Sequence, residues 1–299
     1  MTVRVSGTGL SGTGARDASW QLARDCAGWV AAAAHPVGFG AAADSSRPRA
    51  RPSQIADRIQ LHVGLLEAID TPDGFEACRA TLSIDEMRRA ERFVFDRHRR
   101  QYIFAHGLLR LALSDFAPEI APSDWSLATG RYGRPFVAAP LTSVPIHFSL
   151  SHAEGCVACV VSTHAAVGVD VEQVGPRGSL METAQSVFSP EEIEALRGLA
   201  PREAIDRFFD YWTLKEAYLK ARGFGLNLPL DGFSMLISSE HIGISFRPDI
   251  ADDAAKWRFT MSSPSSVHRL AIADGSGITG GLPIIGHPSR CSLLPSRSA

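Results

Sequence analysis

One order of elements occurs twice in this chain, and that order limits the folds open to it. The run "IQLHVGLLEA" (59–68) alternates apolar and polar residues as a strand does. Next, "LSIDEMRRAERFVF" carries Ser83 and Glu86 at capping-box spacing, which announces a helix. Asp96 is placed to cap a second, longer helix. Its residues Tyr102, Ala105, Leu108, Leu109, Ala112 and Phe116 form an apolar stripe of helical period. The strand-like runs "PFVAA", "IHFSLS" and "CVACVVS" follow. From Ala166 the order recurs. "AVGVDVEQV" reads as a strand, and Ser189-Pro190-Glu191-Glu192 is another capping box with proline at the first helical position. A long helix then runs from near Pro201 to a cap at Gly223, and "FSMLI", "GISFR", "WRFTM" and "VHRLAIAD" read as strands. The pattern predicts an α+β fold of two similar halves, 58–165 and 166–275, packed on one another. The order of elements supports this; identity between the halves does not.

The flanks differ in texture. Residues 1–57 are rich in Gly, Ala, Ser, Pro and Arg and are expected to be a disordered extension. Gly7-x-Gly9-x-x-Gly12 matches a dinucleotide-binding fingerprint, but it lacks the buried strand before it and the acidic residue after it. Residues 276–299 read as a flexible tail. With 45% hydrophobic and 21% charged residues, the 299-residue chain has globular composition. A net charge of −2 gives no overall field for nucleic acid or membrane, so any anion site must be local. Five scattered cysteines and no secretory leader favour a reducing cytoplasm. Cys156 and Cys159 lie three apart in a strand, on opposite faces, and read as buried thiols, not a zinc site. No apolar stretch approaches the roughly 20 residues of a membrane helix, so a soluble protein is expected.

Four clusters can carry chemistry. Asp170 and Glu172 in "GVDVE" leave one face of a strand while Val169 and Val171 leave the other. Side by side, the carboxylates repel unless a cation lies between them. The bland reading is a solvent-facing strand; the functional one is a site for a hard divalent cation such as magnesium. In "WTLKEAYLK", Trp212, Glu216 and Lys220 share a narrow arc of helix, so Glu216 can be a third carboxylate and Lys220 a partner for a phosphate. Ser151 and His152 end a strand; no G-x-S-x-G elbow surrounds the serine, and His152 suits an anion better than a triad. Six arginines lie between 86 and 100, most of them expected on a solvated face, and one or two of them suit a phosphate. Arg131, Tyr132, Gly133, Arg134 and Pro135 form a turn with two cations and a ring, suited to a nucleotide's edge.

Two of these stretches, "GVDVE" at 168–172 and "WTLKEAYLK" at 212–220, resemble the signature motifs of the Sfp-type 4′-phosphopantetheinyl transferases. "FSPEE", "GRYGRP", "FSLSH" and the arginine-rich helix ending "RFVF" are similar to the family too, and the resemblance spans about 58–275. It implies a monomer of two α+β halves related by a pseudo-twofold, with coenzyme A in the cleft between them. Asp170, Glu172 and Glu216 would hold Mg2+ with the coenzyme A pyrophosphate, on which Lys220 would sit. Ser151 and His152 would contact coenzyme A phosphates, and Arg131 to Pro135 would line the adenine end. Arg89 matches best the cation that holds the 3′-phosphate, with Arg88 and Arg92 as substitutes; the family's helix often carries lysines there.

The implied reaction moves the 4′-phosphopantetheine arm of coenzyme A to a serine of an acyl or peptidyl carrier protein and releases 3′,5′-ADP. Glu216 would accept the serine proton, and Lys220 and His152 would offset charge on the leaving phosphate. A non-catalytic module binding coenzyme A or a carrier is the alternative. Another magnesium-dependent nucleotide enzyme is a third class, and the absence of a G-x-x-x-x-G-K-[ST] loop counts against it.

Overall fold

The computed structural model describes residues 58–288 apart from 131, 165, 176–178 and 224–227. The expected extension at 1–57, its glycine motif, Arg131 and the last eleven residues of the tail lie outside the described residues.

The first half opens with β1 (Ile59–Leu65), a single helical turn at Leu66–Ile69, and α1 (Pro72–Thr81). Then come α2 (Ile84–Ala90), the long α3 (Asp96–Phe116), a hairpin of β2 (Ser126–Thr129) and β3 (Pro135–Ala139), and β4 (His147–Ala153) with β5 (Cys156–Ser162). The second half has β6 (Val167–Gln173), α4 (Leu180–Val187), α5 (Pro190–Arg197) and α6 (Pro201–Arg222). A hairpin of β7 (Phe233–Ile237) and β8 (Ile242–Phe246) follows, then β9 (Arg258–Ser262), β10 (His268–Asp274) and β11 (Ile284–Pro288).

The repeat read from the sequence is the repeat of the fold. β1-β5-β4 and β6-β10-β9 are antiparallel sheets of the same connectivity, each with its half's first strand beside its last. Between the first strand and the hairpin, each half places a capped short helix and a long one. The two helix starts are built alike. Ser83 accepts a hydrogen bond from Glu86 N while Glu86 accepts one from Ser83 N, and Ser189 and Glu192 do the same. Each of these glutamates also pairs with a buried cation of the long helix. Arg110 Nη2 lies 2.7 Å from Glu86, and Lys215 Nζ lies 2.8 Å from Glu192. Lys215 donates as well to the carbonyls of Leu230 and Phe233, so this buried ammonium is fully satisfied and holds α6 to the hairpin.

Where the halves meet, β4 lies along β6. Ser149 Oγ accepts from Val169 N at 3.1 Å, and Ser151 Oγ accepts from Val171 N at 3.3 Å. Serine hydroxyls thus satisfy amides that a strand ladder would otherwise serve. Val169 and Val171 enter a core shared by both sheets, with Ile59, Ala158, Val160, Leu270 and Ile272. Cys156 belongs to that core and Cys159 to the one under α3, so the two buried thiols do face opposite sides.

The bland reading of β6 as a solvent-facing strand is excluded: six of its seven residues are buried, with β10 beside it and α6 across its polar face. The chain after 276 is not loose throughout, since Ile284–Pro288 pairs in parallel with the open edge of β1. The short apolar run "LPII" between glycines carries no local strand signal, and only the exposed backbone of β1 gives it one. Two helices also went unread. Thr71 caps α1 by accepting from Gly74 N, with Pro72 at its first position, and α4 lies ahead of the second capping box. No described helix is long and apolar enough to cross a membrane.

Candidate functional site

The site is built where β6 lies against α6. Gly168, Asp170 and Glu172 share one face of the strand. Four strand residues span about 13 Å, the length of about nine helical residues, so this face runs alongside Ala221 back to Trp212. Gly168 makes the approach possible. A Cβ there would lie 2.0 Å from Ala217 O and 2.6 Å from Ala221 N, so any side chain would push α6 off the strand.

Three polar residues of α6 meet the two strand carboxylates. Lys220 Nζ lies 2.6 Å from Asp170 Oδ1 and 2.8 Å from Ser151 Oγ. Ser151 closes the triangle by donating to the same Asp170 oxygen at 2.8 Å. Trp212 Nε1 donates to Glu172 Oε1 at 3.2 Å, so the tryptophan that roots α6 in the core also fixes a carboxylate. Glu216 sits between them, half-buried. Burial, and then the negative charges of Asp170 and Glu172, raise its pKa to about 7, although Lys220 works against them. For Lys220 burial disfavours the charge, but Asp170 and Glu216 prevail and its pKa is raised. Three carboxylates therefore gather around the Lys220 ammonium, and Asp170 Oδ2 is buried without a hydrogen-bond partner. That excess of hard oxygen donors fits a divalent cation such as Mg2+. Their arrangement is not a finished metal cage: among the described residues no three His, Cys, Asp or Glu side chains converge to hold an ion.

His152 lies on the other wall, facing α3. Gln101 Nε2 is 3.5 Å from its Nδ1 and donates to Ala153 O. Burial, then the Lys220 charge, pushes the His152 pKa down to about 4, so near neutrality it is an uncharged imidazole. In that form it can donate a hydrogen bond to an anion, one of the two parts expected of it. The buried Ser151 hydroxyl donates to Asp170 and accepts from Lys220 and Val171 N, which orients the carboxylate and the ammonium.

The structure separates the arginines of the basic segment. Arg88 is exposed and pairs with Asp85, and Arg92 is exposed. Arg89 is turned inward and hydrogen-bonds the Tyr102 hydroxyl. Tyr102 in turn stacks on His106 at 4.1 Å, and His106 Nδ1 lies 3.0 Å from Glu86. Arg89 is thus linked through Tyr102 and His106 to Glu86, whereas Arg100 is tied to Asp70. In the turn, Tyr132 is exposed and Gly133 takes a φ of 83°, a conformation that favours glycine. The Arg134 guanidinium donates to Ala221 O at 2.9 Å and Val167 O at 3.4 Å, capping the end of α6 and clamping the hairpin to the start of β6. Pro135 opens β3.

Comparison with known proteins agrees with this arrangement. Residues 166–273, which hold β6 and α6, match the model of the 4′-phosphopantetheinyl transferase superfamily. The chain is 35% identical over 159 residues to the 4′-phosphopantetheinyl transferase HetI of Nostoc sp., covering 53% of this chain and 67% of HetI. It is 30% identical over 172 residues to a 4′-phosphopantetheinyl transferase of Bacillus subtilis, covering 57% and 73%. Against the Sfp transferase of Bacillus subtilis it is 28% identical over 160 residues, covering 53% and 68%. With the two signature stretches meeting face to face at one site, the chain belongs to the 4′-phosphopantetheinyl transferase superfamily, as a member of the Sfp type.

Proposed function

We propose that this protein transfers the 4′-phosphopantetheine arm of coenzyme A to a serine hydroxyl of an acyl or peptidyl carrier protein, with Mg2+ as cofactor and 3′,5′-ADP as second product. The observation that carries the reading is the triangle of Lys220, Asp170 and Ser151, with Glu172 and Glu216 beside it on the same β6–α6 seam. Asp170, Glu172 and Glu216 are the residues that would hold Mg2+, which when bound supplies Lewis-acid polarisation of pyrophosphate oxygens.

The chain's own groups account for the rest. Lys220, held charged, binds the oxygens of the phosphate that departs. Glu216, on the same seam as the Lys220–Asp170–Ser151 triangle, takes the proton from the carrier serine as its oxygen attacks the phosphorus of the arm. The new Oγ–P bond forms as the P–O bond to the second phosphate breaks, and the electron pair leaves with 3′,5′-ADP. His152 donates a neutral hydrogen bond to a phosphate oxygen. Arg89 faces the 3′-phosphate, and the Tyr132–Pro135 turn faces the adenine.

The test is intact-mass spectrometry of an apo carrier protein incubated with this protein, coenzyme A and Mg2+, against an EDTA control. A gain of one phosphopantetheine group on the carrier serine, lost with EDTA, is expected. Coenzyme A binding with no gain on a panel of carriers would favour a binding module and overturn the transferase reading.

A further inference from the structure

We propose that Lys220 is an exchangeable counter-ion: in the substrate-free protein its ammonium holds the place of the divalent cation on Asp170, and the substrate's pyrophosphate draws it away. The proposal rests on the transferase reading above and adds an order of events to it. Free protein should be a poor metal site, and metal and pyrophosphate should enter together.

The carboxylates are engaged one by one. Asp170 Oδ1 accepts both the Lys220 ammonium at 2.6 Å and the Ser151 hydroxyl at 2.8 Å. Glu172 Oε1 accepts the Trp212 indole N–H at 3.2 Å. Among the described residues, no three acidic, histidine or cysteine side chains converge on a point from which they could hold an ion. Asp170 Oδ2 is the one oxygen of that carboxylate left buried and unpartnered. A divalent ion close enough to bond an Asp170 oxygen would lie a few ångströms from the ammonium, and like charges at that distance in a half-buried site repel strongly.

Lys220 is built to move. Its charge sits on a flexible four-carbon stem, and its side chain is 25% exposed where that of Asp170 is 5% exposed. Asp170 is fixed on a buried strand, while the ammonium reaches it from the half-open edge of α6. Ser151 is the pivot. Its hydroxyl touches both partners, and its hydrogen bond from Val171 N keeps it in place when the ammonium leaves. A pyrophosphate entering above the seam offers Lys220 a stronger partner, and the vacated oxygens then face the metal that accompanies it. Coupling of this kind is reciprocal: the substrate must raise metal affinity by the factor by which the metal raises substrate affinity.

The test reads metal binding, not turnover. Mn2+ is titrated into substrate-free protein, and the free aquo ion is counted by electron paramagnetic resonance. Lys220→Gln should bind Mn2+ at least about tenfold more tightly than wild type, within the range of ordinary site coupling. Equal or weaker binding by the variant overturns the exchange. Should Lys220→Gln fold poorly, the wild-type protein decides through the 15N resonance of the Lys220 ammonium. Mg2+ alone should leave that resonance in place, and Mg2+ with coenzyme A should shift it. A shift with Mg2+ alone overturns the proposal while leaving the transferase reading intact. If no form holds Mn2+ even with coenzyme A present, the carboxylate site itself fails as a metal centre, and both readings fall.

Discussion

The two halves have the same connectivity and the same glutamate-to-cation brace, yet they put different things on the seam between first strand and long helix. In the first half the face of β1 turned to α3 carries Gln60 and His62, both buried, and the buried face of α3 is the apolar stripe from Tyr102 to Phe116. In the second half the matching strand carries Asp170 and Glu172, and the matching helix carries Trp212, Glu216 and Lys220. The first half instead supplies the opposite wall, with Ser151, His152 and Arg89. The two seams share a connectivity but not a charge pattern: the first buries an amide and an imidazole from its strand, the second two carboxylates.

The largest effect that tests this division is chemical. Glu216→Gln should lower the transfer rate by about 10²–10⁴-fold, the usual range for a lost general base, with the fold intact. Initial rates of carrier modification and a thermal melt decide it. Transfer at the wild-type rate would move the proton acceptor elsewhere.

The braces come next. Removing one partner of a buried ion pair costs about 3–5 kcal/mol, because the other charge stays buried. Lys215→Met should reach that range, since Glu192 is 2% exposed. Arg110→Met should cost less. Glu86 is 12% exposed and keeps the His106 ring at 3.0 Å. Urea unfolding of the two variants measures the difference, and equal losses would show that the braces are interchangeable after all.

Gly168→Ala probes the seam itself. The added methyl meets the Ala217 carbonyl, so about 1–3 kcal/mol of stability should be lost through overpacking. Transfer should fall as well, because α6 carries Glu216 and Lys220 away from Asp170. Stability lost with activity intact would mean that the seam tolerates a wider spacing than it shows.

Much of this was legible in the sequence because it is local. The capping boxes at Ser83 and Ser189, the stripe of α3, the cap at Gly223 and the strand parity of Asp170 and Glu172 follow from neighbours within one or two turns. What escaped depends on which strand lies beside which. Ser151 serves Asp170 from a strand 19 residues away, β11 joins β1 across the whole described chain, and Arg134 caps a helix that ends 87 residues after it. The hydrogen bond between Arg89 and Tyr102, which sits on another helix, was likewise out of reach of local pattern. Sequence pattern found the carboxylates but not their partners.

The smallest effect is a dependence of stability on pH that only the second half's seam should show. Burial and its acidic neighbours lift the Glu216 pKa from 4.5 to about 7, so the folded protein binds a proton there that the unfolded chain has already lost. A raised folded-state pKa gives a contribution that is complete below pH 4.5 and disappears as pH rises through 7. Substrate-free wild type should therefore lose stability, relative to Glu216→Gln, as pH rises from 5 to 8, since the glutamine cannot ionise. The difference is smaller than the full shift implies, because Glu216 is half-buried and water screens part of it. Coenzyme A with Mg2+ should erase it, by supplying the positive charge that the three carboxylates lack. Parallel melting curves for the two proteins across that range, with and without the ligands, give the answer. Curves that run parallel without ligand would mean that Glu216 is ionised at no cost, and that the carboxylates of the seam are already neutralised by Lys220 alone.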